Sequence, residues 1–391
     1  MSRLEKRMIL LCALYSLASF LSKSFVNVYL YEYTQSFVIM AIYTFVRIMF
    51  FPIANVIGGK LIKKFKYAVT IFIGLMFVTL SLVFALTQTK LFEMNKYFVL
   101  VAALLTGIGE GLYWFSINSC HQIVTTNESR TTYLSNLGTF NNLSTFIAPF
   151  IATFIISFSL NDMVGYTYIL YLILILYVII TCIALTINKK DERGCNYSFR
   201  KCISLKDKRW ANVCLGIFFY GVTNSLTLNL TSIMIYNAAG SGGLYSKLLS
   251  FFSIIVVISL RFLPYALRKE RMMKTYVIAS LINISSTIVL VLVDNIVGAI
   301  YFGISNALVT AFYDNSYSKC HMDVTAMYSD DLTGRVVAKE FYIGSGRCLA
   351  MAFIVLCYYV LGEAAYLKVA VISLSLFPVL SCYFLTRYLK D

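Results

Sequence analysis

The sequence predicts an all-α polytopic membrane protein, with twelve transmembrane helices in two pseudo-symmetric six-helix bundles. Three observations predict it. Of 391 residues, 59% are hydrophobic and only 13% are charged, where a soluble domain carries about 25% charge. The apolar residues come in long blocks, and a block of about 20 crosses hydrocarbon as a helix, which satisfies its own backbone where lipid cannot. Finally, lysine and arginine concentrate on alternate loops.

The elements follow in order. The first run, 8–31, comes after Arg3, Lys6 and Arg7, which the positive-inside rule holds in the cytoplasm. It is too long for a signal peptide and lacks a small-residue cleavage site. Run 35–59 returns to the basic loop of Lys60, Lys63, Lys64 and Lys66. Runs 67–88 and 97–119 enclose an outer loop with only Lys90 and Lys96. Runs 134–159 and 164–187 complete the first six and lead into a basic stretch from Lys189 to Arg209. Run 210–236 opens on Trp210, read as an interfacial anchor, and 244–267 ends at a second basic loop, Arg268 to Lys274. Runs 275–293 and 296–318 almost touch at Asp294, the weakest boundary. Runs 338–361 and 364–386 finish the set before Arg387 and Lys390. Both termini are therefore expected in the cytoplasm of a multi-pass cell-membrane protein.

The net charge of +15 reports this topology rather than nucleic-acid binding. Cys12, Cys182, Cys214, Cys348, Cys357 and Cys382 fall inside apolar runs, where cysteine acts as a small hydrophobe. Cys195 and Cys202 are six residues apart in the basic stretch, which is not zinc-ligand spacing, and should be free thiols.

The two histidines stand in one pattern, Cys-His-x-x-Val-Thr, at Cys120–His121 and again at Cys320–His321. Other features recur at a similar offset. "LSKSF" faces "VTNSL", aligning Lys23 with Asn224, and "GIGEG" faces "GISNA", aligning Glu110 with Asn306. An arginine precedes a proline in both halves, Arg47 before Pro52 and Arg261 before Pro264. The matches keep one order, run n with run n+6. Residues 1–187 form the first bundle, 188–209 a cytoplasmic linker and 210–391 the second bundle.

Two such halves on a basic linker resemble the major facilitator superfamily, in which paired six-helix repeats enclose a midplane site. "GGKLIKKFK" resembles that family's Gly-x-x-x-Asp-Arg-x-Gly-Arg-Arg element, with Lys63 where the acid is expected. Ala103 stands where proton-coupled exporters place an arginine four residues before a glycine, here Gly107, and "IAPFIAT" keeps Pro149. "GLYW" and "GSGR" are similar to a poorly characterised Gram-positive, exporter-like branch. The resemblance implies that the first, fourth, seventh and tenth helices line a cavity holding Lys23, Glu110, Asn224 and Asn306. It also brings the two Cys-His pairs to the inner gate. A metal site shared there is disfavoured, because adjacent residues point about 100° apart on a helix. No metal and no cofactor is expected, and no nucleophile, base and oxyanion set marks an enzyme.

An ionisable side chain inside a span costs roughly 2.5–3.5 kcal/mol, so each is a functional candidate. Arg47 and Glu110 fall near midplane and Lys23 further out. Two readings stand for them. One is an ion-pair cluster that locks the first bundle. The other makes Glu110 the proton carrier while a cation meets an anionic part of the substrate. Tyr113 and Trp114 form either a cavity floor or ordinary packing. Tyr220, Asn224, Thr227 and Thr231 make a polar stripe at helical spacing that must face a cavity or another helix. Arg347 needs a partner, with Glu340 at the edge of reach. Asp314, read as shallow, is a solvated or gating residue and a second proton-coupling candidate.

The expected protein is a monomeric, proton-coupled secondary transporter that exports a small amphipathic anionic or zwitterionic molecule. A nutrient importer and a transport-inactive sensor or partner subunit are the alternatives.

Overall fold

Twelve helices in the described residues are long and apolar enough to cross a membrane. They are α1 Arg3–Thr34, α2 Phe37–Leu61, α3 Tyr67–Thr87, α4 Lys96–His121, α5 Asn136–Ser157 and α6 Asp162–Leu185. The second set is α7 Lys208–Ala239, α8 Gly242–Ser259, α9 Arg271–Leu292, α10 Ile296–Ser318, α11 Val337–Leu361 and α12 Tyr366–Arg387. The computed structural model describes residues 2–124, 130–187, 203–228, 230–266, 269–326, 332–362 and 365–387. Cys195, Cys202 and the side chains of Lys63, Thr227 and Pro264 lie outside the described residues. Among the described residues there is no strand. Each of the twelve apolar runs carries one span, so the all-α, twelve-helix reading holds. The eighth span is shorter than its apolar run, 244–267: α8 stops at Ser259 and a separate short helix, Leu263–Ala266, follows.

The caps explain several boundaries. Ser2 and Glu5 form a capping box at the start of α1, each side chain bonding the other's backbone nitrogen. Asp207 Oδ1 accepts from the backbone nitrogens of Arg209 and Trp210 and so starts α7. Asn295 Oδ1 caps α10 and settles the break beside Asp294.

The chain divides into two compact units, Met1–Asn196 and Tyr197–Asp391. In the first, α4 packs on both α2 and α3, and α1 on α5 and α6. In the second, α7 packs on α11 and α12, and α10 on α8 and α9. Large apolar side chains such as Phe154, Ile175, Ile258 and Leu356 remain on the surface. That much exposed apolar area suits hydrocarbon rather than water. The eight described cysteines are all free thiols.

Trp210 departs from its expected interfacial role. It is fully buried in the core of the second unit, with the Arg335 guanidinium 4.4 Å above its ring. Stacking on a cation lets the indole bury completely at the start of a span.

Candidate functional site

In the first unit the decisive residues are the three glycines of "GIGEG". A Cβ at Gly107 or Gly111 would run into the backbone carbonyls of Arg47 and Phe51 on α2. A Cβ at Gly109 would meet Gly74 O of α3 at 2.6 Å. Small residues at this spacing let helix backbones touch inside a membrane. The approach of α2 to α4 puts Arg47 beside Glu110. Arg47 Nε donates to Glu110 Oε2 at 2.9 Å and Nη2 to Oε1 at 2.7 Å. Both side chains are largely buried, at 12% and 14% exposure. This two-pronged geometry is the strongest form of the carboxylate–guanidinium pair.

Aromatic side chains enclose the pair. Tyr15, Tyr43 and Tyr177 all lie within its electrostatic reach. Tyr15 stacks on Tyr113, centroids 3.7 Å apart, and meets Trp114 edge-on at 5.5 Å. Tyr113 is only 1% exposed, so it packs α1 against α4 and is no cavity floor; Trp114 is half-buried. Lys23 sits in a π-helical turn, Ser22–Val26, that interrupts α1, and Asn27 Nδ2 donates to its backbone carbonyl at 2.9 Å. Such widened turns are frequent at functional sites. No sequence signal announced this one.

The second unit solves a similar problem with neutral partners. A Cβ at Gly221 would strike the Ile343 carbonyl, and one at Gly346 the Phe218 carbonyl, so α7 and α11 cross in direct backbone contact. Three residues beyond Gly221 and one beyond Gly346, Asn224 meets Arg347. Its Oδ1 accepts from Arg347 Nε at 3.1 Å and from Nη2 at 2.6 Å. Glu340, the expected partner, instead pairs with Lys339 at 3.0 Å. Two turns of helix leave it too far along α11 to reach the guanidinium.

Asp314 is likewise corrected. It is half-buried rather than solvated, and Tyr220 Oη donates to its Oδ1 at 2.8 Å. Tyr220 is held flat between Tyr317, at 3.6 Å and 4°, and Tyr313, at 5.6 Å. The stripe on α7 therefore faces other helices, with Tyr220 toward α10 and Asn224 toward α11. Asn224 and Asp314 also line a small cavity with Thr223, Asn283, Asn306 and Thr310. Thr223, Asn283 and Thr310 were not singled out from sequence. The threonines read as ordinary helix-surface hydroxyls, and Asn283 as one polar residue within an apolar run.

The repeated Cys-His pairs serve packing within their own units. His121 Nδ1 contacts Tyr133 Oη at 2.5 Å, and its Nε2 lies 3.9 Å from Cys12 Sγ. His321 Nδ1 lies 3.2 Å from the Tyr317 carbonyl one turn earlier. Burial pushes the His321 imidazole down to about 3; Lys339 adds to this, and the Tyr317 carbonyl opposes it. Arg261, aligned with Arg47, is exposed at the end of α8, so that pairing of the halves is not one of environment.

Residues 8–329 match the Major Facilitator Superfamily. The chain belongs to the major facilitator superfamily. Its fold is that of a transporter, not an enzyme. The facilitator is 24% identical over 356 residues to the uncharacterized protein YqgE of Bacillus subtilis (strain 168), covering 88% of this chain and 79% of that one. A substituted form of the nucleoside transporter NupG superposes with a TM-score of 0.70 at 13% identity, over 98% of this chain and 99% of that one. The E. coli fucose:proton symporter FucP gives 0.62 at 15%, over 97% of each. These superpositions establish the facilitator fold alone.

Proposed function

We propose that this facilitator is a proton-coupled secondary active transporter of the cell membrane, alternating between inward and outward access and acting as a monomer. The observation that carries the coupling is the contrast between two carboxylates within its spans, Glu110 and Asp314. Both Glu110 oxygens are engaged by Arg47, so loading a proton there would strand a buried guanidinium. Asp314 has one hydrogen bond, from Tyr220, and no cation within ion-pair distance among the described residues, and it faces a cavity. Asp314 is the proton carrier in this reading. The Arg47–Glu110 pair holds α2 against α4.

The cargo is a small amphipathic organic molecule. Its anionic or zwitterionic group is assigned to Arg347, because the Arg47 charge is spent on Glu110. Arg347, held by the Asn224 amide rather than by a carboxylate, keeps a net charge to offer. Export is the direction we favour, on the likeness of "GLYW" and "GSGR" to exporter-like facilitators.

The test is flux in proteoliposomes under an imposed pH gradient. Wild type moves protons when cargo is added, and Asp314→Asn moves cargo down its own gradient without them. Proton-independent transport in wild type would end the coupling reading; binding with no flux at all would mark a sensor.

A further inference from the structure

The turn between α8 and α9 concentrates charge that the transport reading leaves unused. From Arg261 to Lys274 the sequence holds five basic residues, Arg261, Arg268, Lys269, Arg271 and Lys274, against one acid, Glu270. Arg261 and Lys274 are exposed and Arg271 is half-buried.

Arg271 is the organised member of the group. Its guanidinium lies 3.7 Å over the centroid of the Tyr265 ring. Tyr265 belongs to the short helix Leu263–Ala266, and Thr275 Oγ1 of α9 donates to the Ala266 carbonyl at 3.3 Å. Stack and hydrogen bond together tie the short helix to the start of α9. A cation resting on a ring is attracted by its face, while the N–H groups of the guanidinium stay available at the edge. Among the described side chains no carboxylate stands within ion-pair distance of Arg271. A planar fork whose position is already fixed is suited to taking two phosphate oxygens at once.

The neighbourhood of this fork is apolar. Phe262 and Tyr265 are 60% and 53% exposed. Exposed aliphatic side chains continue away from the turn along both helices, Ile254 and Ile258 on α8 and Ile278 and Leu281 on α9. Both helices pack on α10. A free phosphate would use the cations and gain nothing from Phe262 or the aliphatic stripes. A headgroup phosphate with acyl chains beneath it matches both the charge and the apolar surface. We infer that the α8–α9 turn binds an anionic phospholipid of the inner leaflet. Arg271 takes its phosphate, Arg261 and Lys274 supply further positive charge, and its chains lie along α8 and α9. None of these residues lines the cavity beside Asp314, so the lipid site stands independently of the proposed coupling.

The test is native mass spectrometry of the purified, delipidated full chain in detergent, titrated with dioleoyl-phosphatidylglycerol or dioleoyl-phosphatidylcholine. Wild type should bind the first phosphatidylglycerol about tenfold more tightly than the first phosphatidylcholine. Arg271→Gln should remove most of that preference, because a two-pronged bond to a charged group is worth about a factor of ten or more. Tyr265→Phe keeps the ring and should keep the affinity, whereas Tyr265→Ala should lose about threefold. Lys60→Gln removes an equal charge from the basic turn of the first unit and should stay near wild type. The lipid-free melting temperature of each variant reports folding. Should Arg271→Gln melt too low to titrate, Arg271→Lys decides: it retains the charge, loses the fork and must still weaken the first lipid. Equal affinity for the two lipids in wild type, or unchanged affinity in the Arg271 variant, overturns the inference. So does an equal loss in Lys60→Gln, the mark of diffuse surface charge, or displacement of the lipid by inorganic phosphate, the mark of a site for a soluble anion.

Discussion

Gly107 lies against Arg47 so closely that a Cβ would enter the Arg47 carbonyl oxygen, and three residues later Glu110 takes the Arg47 guanidinium. Close approach and ion pair are one arrangement, because the side chains meet only where the backbones touch. Gly107→Ala and Gly111→Ala should each destabilise the first unit by about 1–3 kcal/mol through overpacking. At Gly138 a Cβ meets nothing within 4 Å. There Gly138→Ala should be neutral or gain up to about 1 kcal/mol of helix propensity. Thermal unfolding of the three variants makes the comparison; equal behaviour would mean the α2–α4 contact is looser than described.

Glu110→Gln leaves Arg47 with a neutral partner in a low-dielectric setting. Breaking a buried pair from one side costs about 3–5 kcal/mol, whereas replacing both members with apolar residues is often neutral. A double Arg47→Met, Glu110→Met variant should therefore melt near wild type while the single variant melts well below it. If the double variant stays as unstable as the single one, the pair is not simply a fastening between α2 and α4.

Much of this was legible in the sequence. The twelve spans follow from run length and from where lysine and arginine fall, both bulk physical quantities. Arg47 and Glu110 were legible as a pair because uncompensated charge in a membrane demands a partner. Arg347 was harder, since sequence favours a carboxylate and the structure supplies an amide from a span more than a hundred residues away. The glycines that decide this, Gly221 and Gly346, are informative only once α7 and α11 are known to cross. Trp210 and Asp314 were misplaced for a similar reason. Position along a helix follows from the sequence, but burial depends on what packs alongside.

At the α7–α11 crossing, Asn224→Asp should convert a charge–dipole contact into an ion pair. Stability should hold or rise, and any anionic cargo should bind more weakly because Arg347 is then neutralised. Asn224→Ala removes the acceptor and leaves two guanidinium donors unmatched, at about 1.5–3 kcal/mol for bonds to a charged group. Melting temperature read with cargo affinity separates the two effects. Unchanged cargo affinity in Asn224→Asp would take Arg347 out of the binding site.

His321 predicts an acid limit. In the unfolded chain a histidine takes up its proton near pH 6.5, and in the folded protein only near about 3, because burial and Lys339 disfavour the cation. Between those values the unfolded state binds more protons. Stability is thus complete above about pH 6.5 and falls as the pH drops, by at most about 1.4 kcal/mol per unit. His321→Phe should flatten this part of the profile. A chemical-denaturation series across the window reads it directly, and identical slopes in both proteins would show that other groups set the acid limit.

Tyr220 offers the sharpest probe of Asp314. Tyr220→Phe keeps the ring, and with it the stack on Tyr317 at 3.6 Å, but removes the hydroxyl that donates to Asp314 Oδ1. Because the ring packing survives, stability should drop by no more than about 1.5–3 kcal/mol, the worth of one hydrogen bond to a carboxylate. Transport should respond differently. If Asp314 carries the proton, losing its one described donor alters how readily it binds and releases that proton. The pH profile of transport then moves while cargo affinity at saturating proton concentration stays put. A purely structural Asp314 would give the opposite pattern, lower stability with an unmoved profile. That outcome would return the coupling role to Glu110, whose carboxylate must then leave Arg47 once in every cycle.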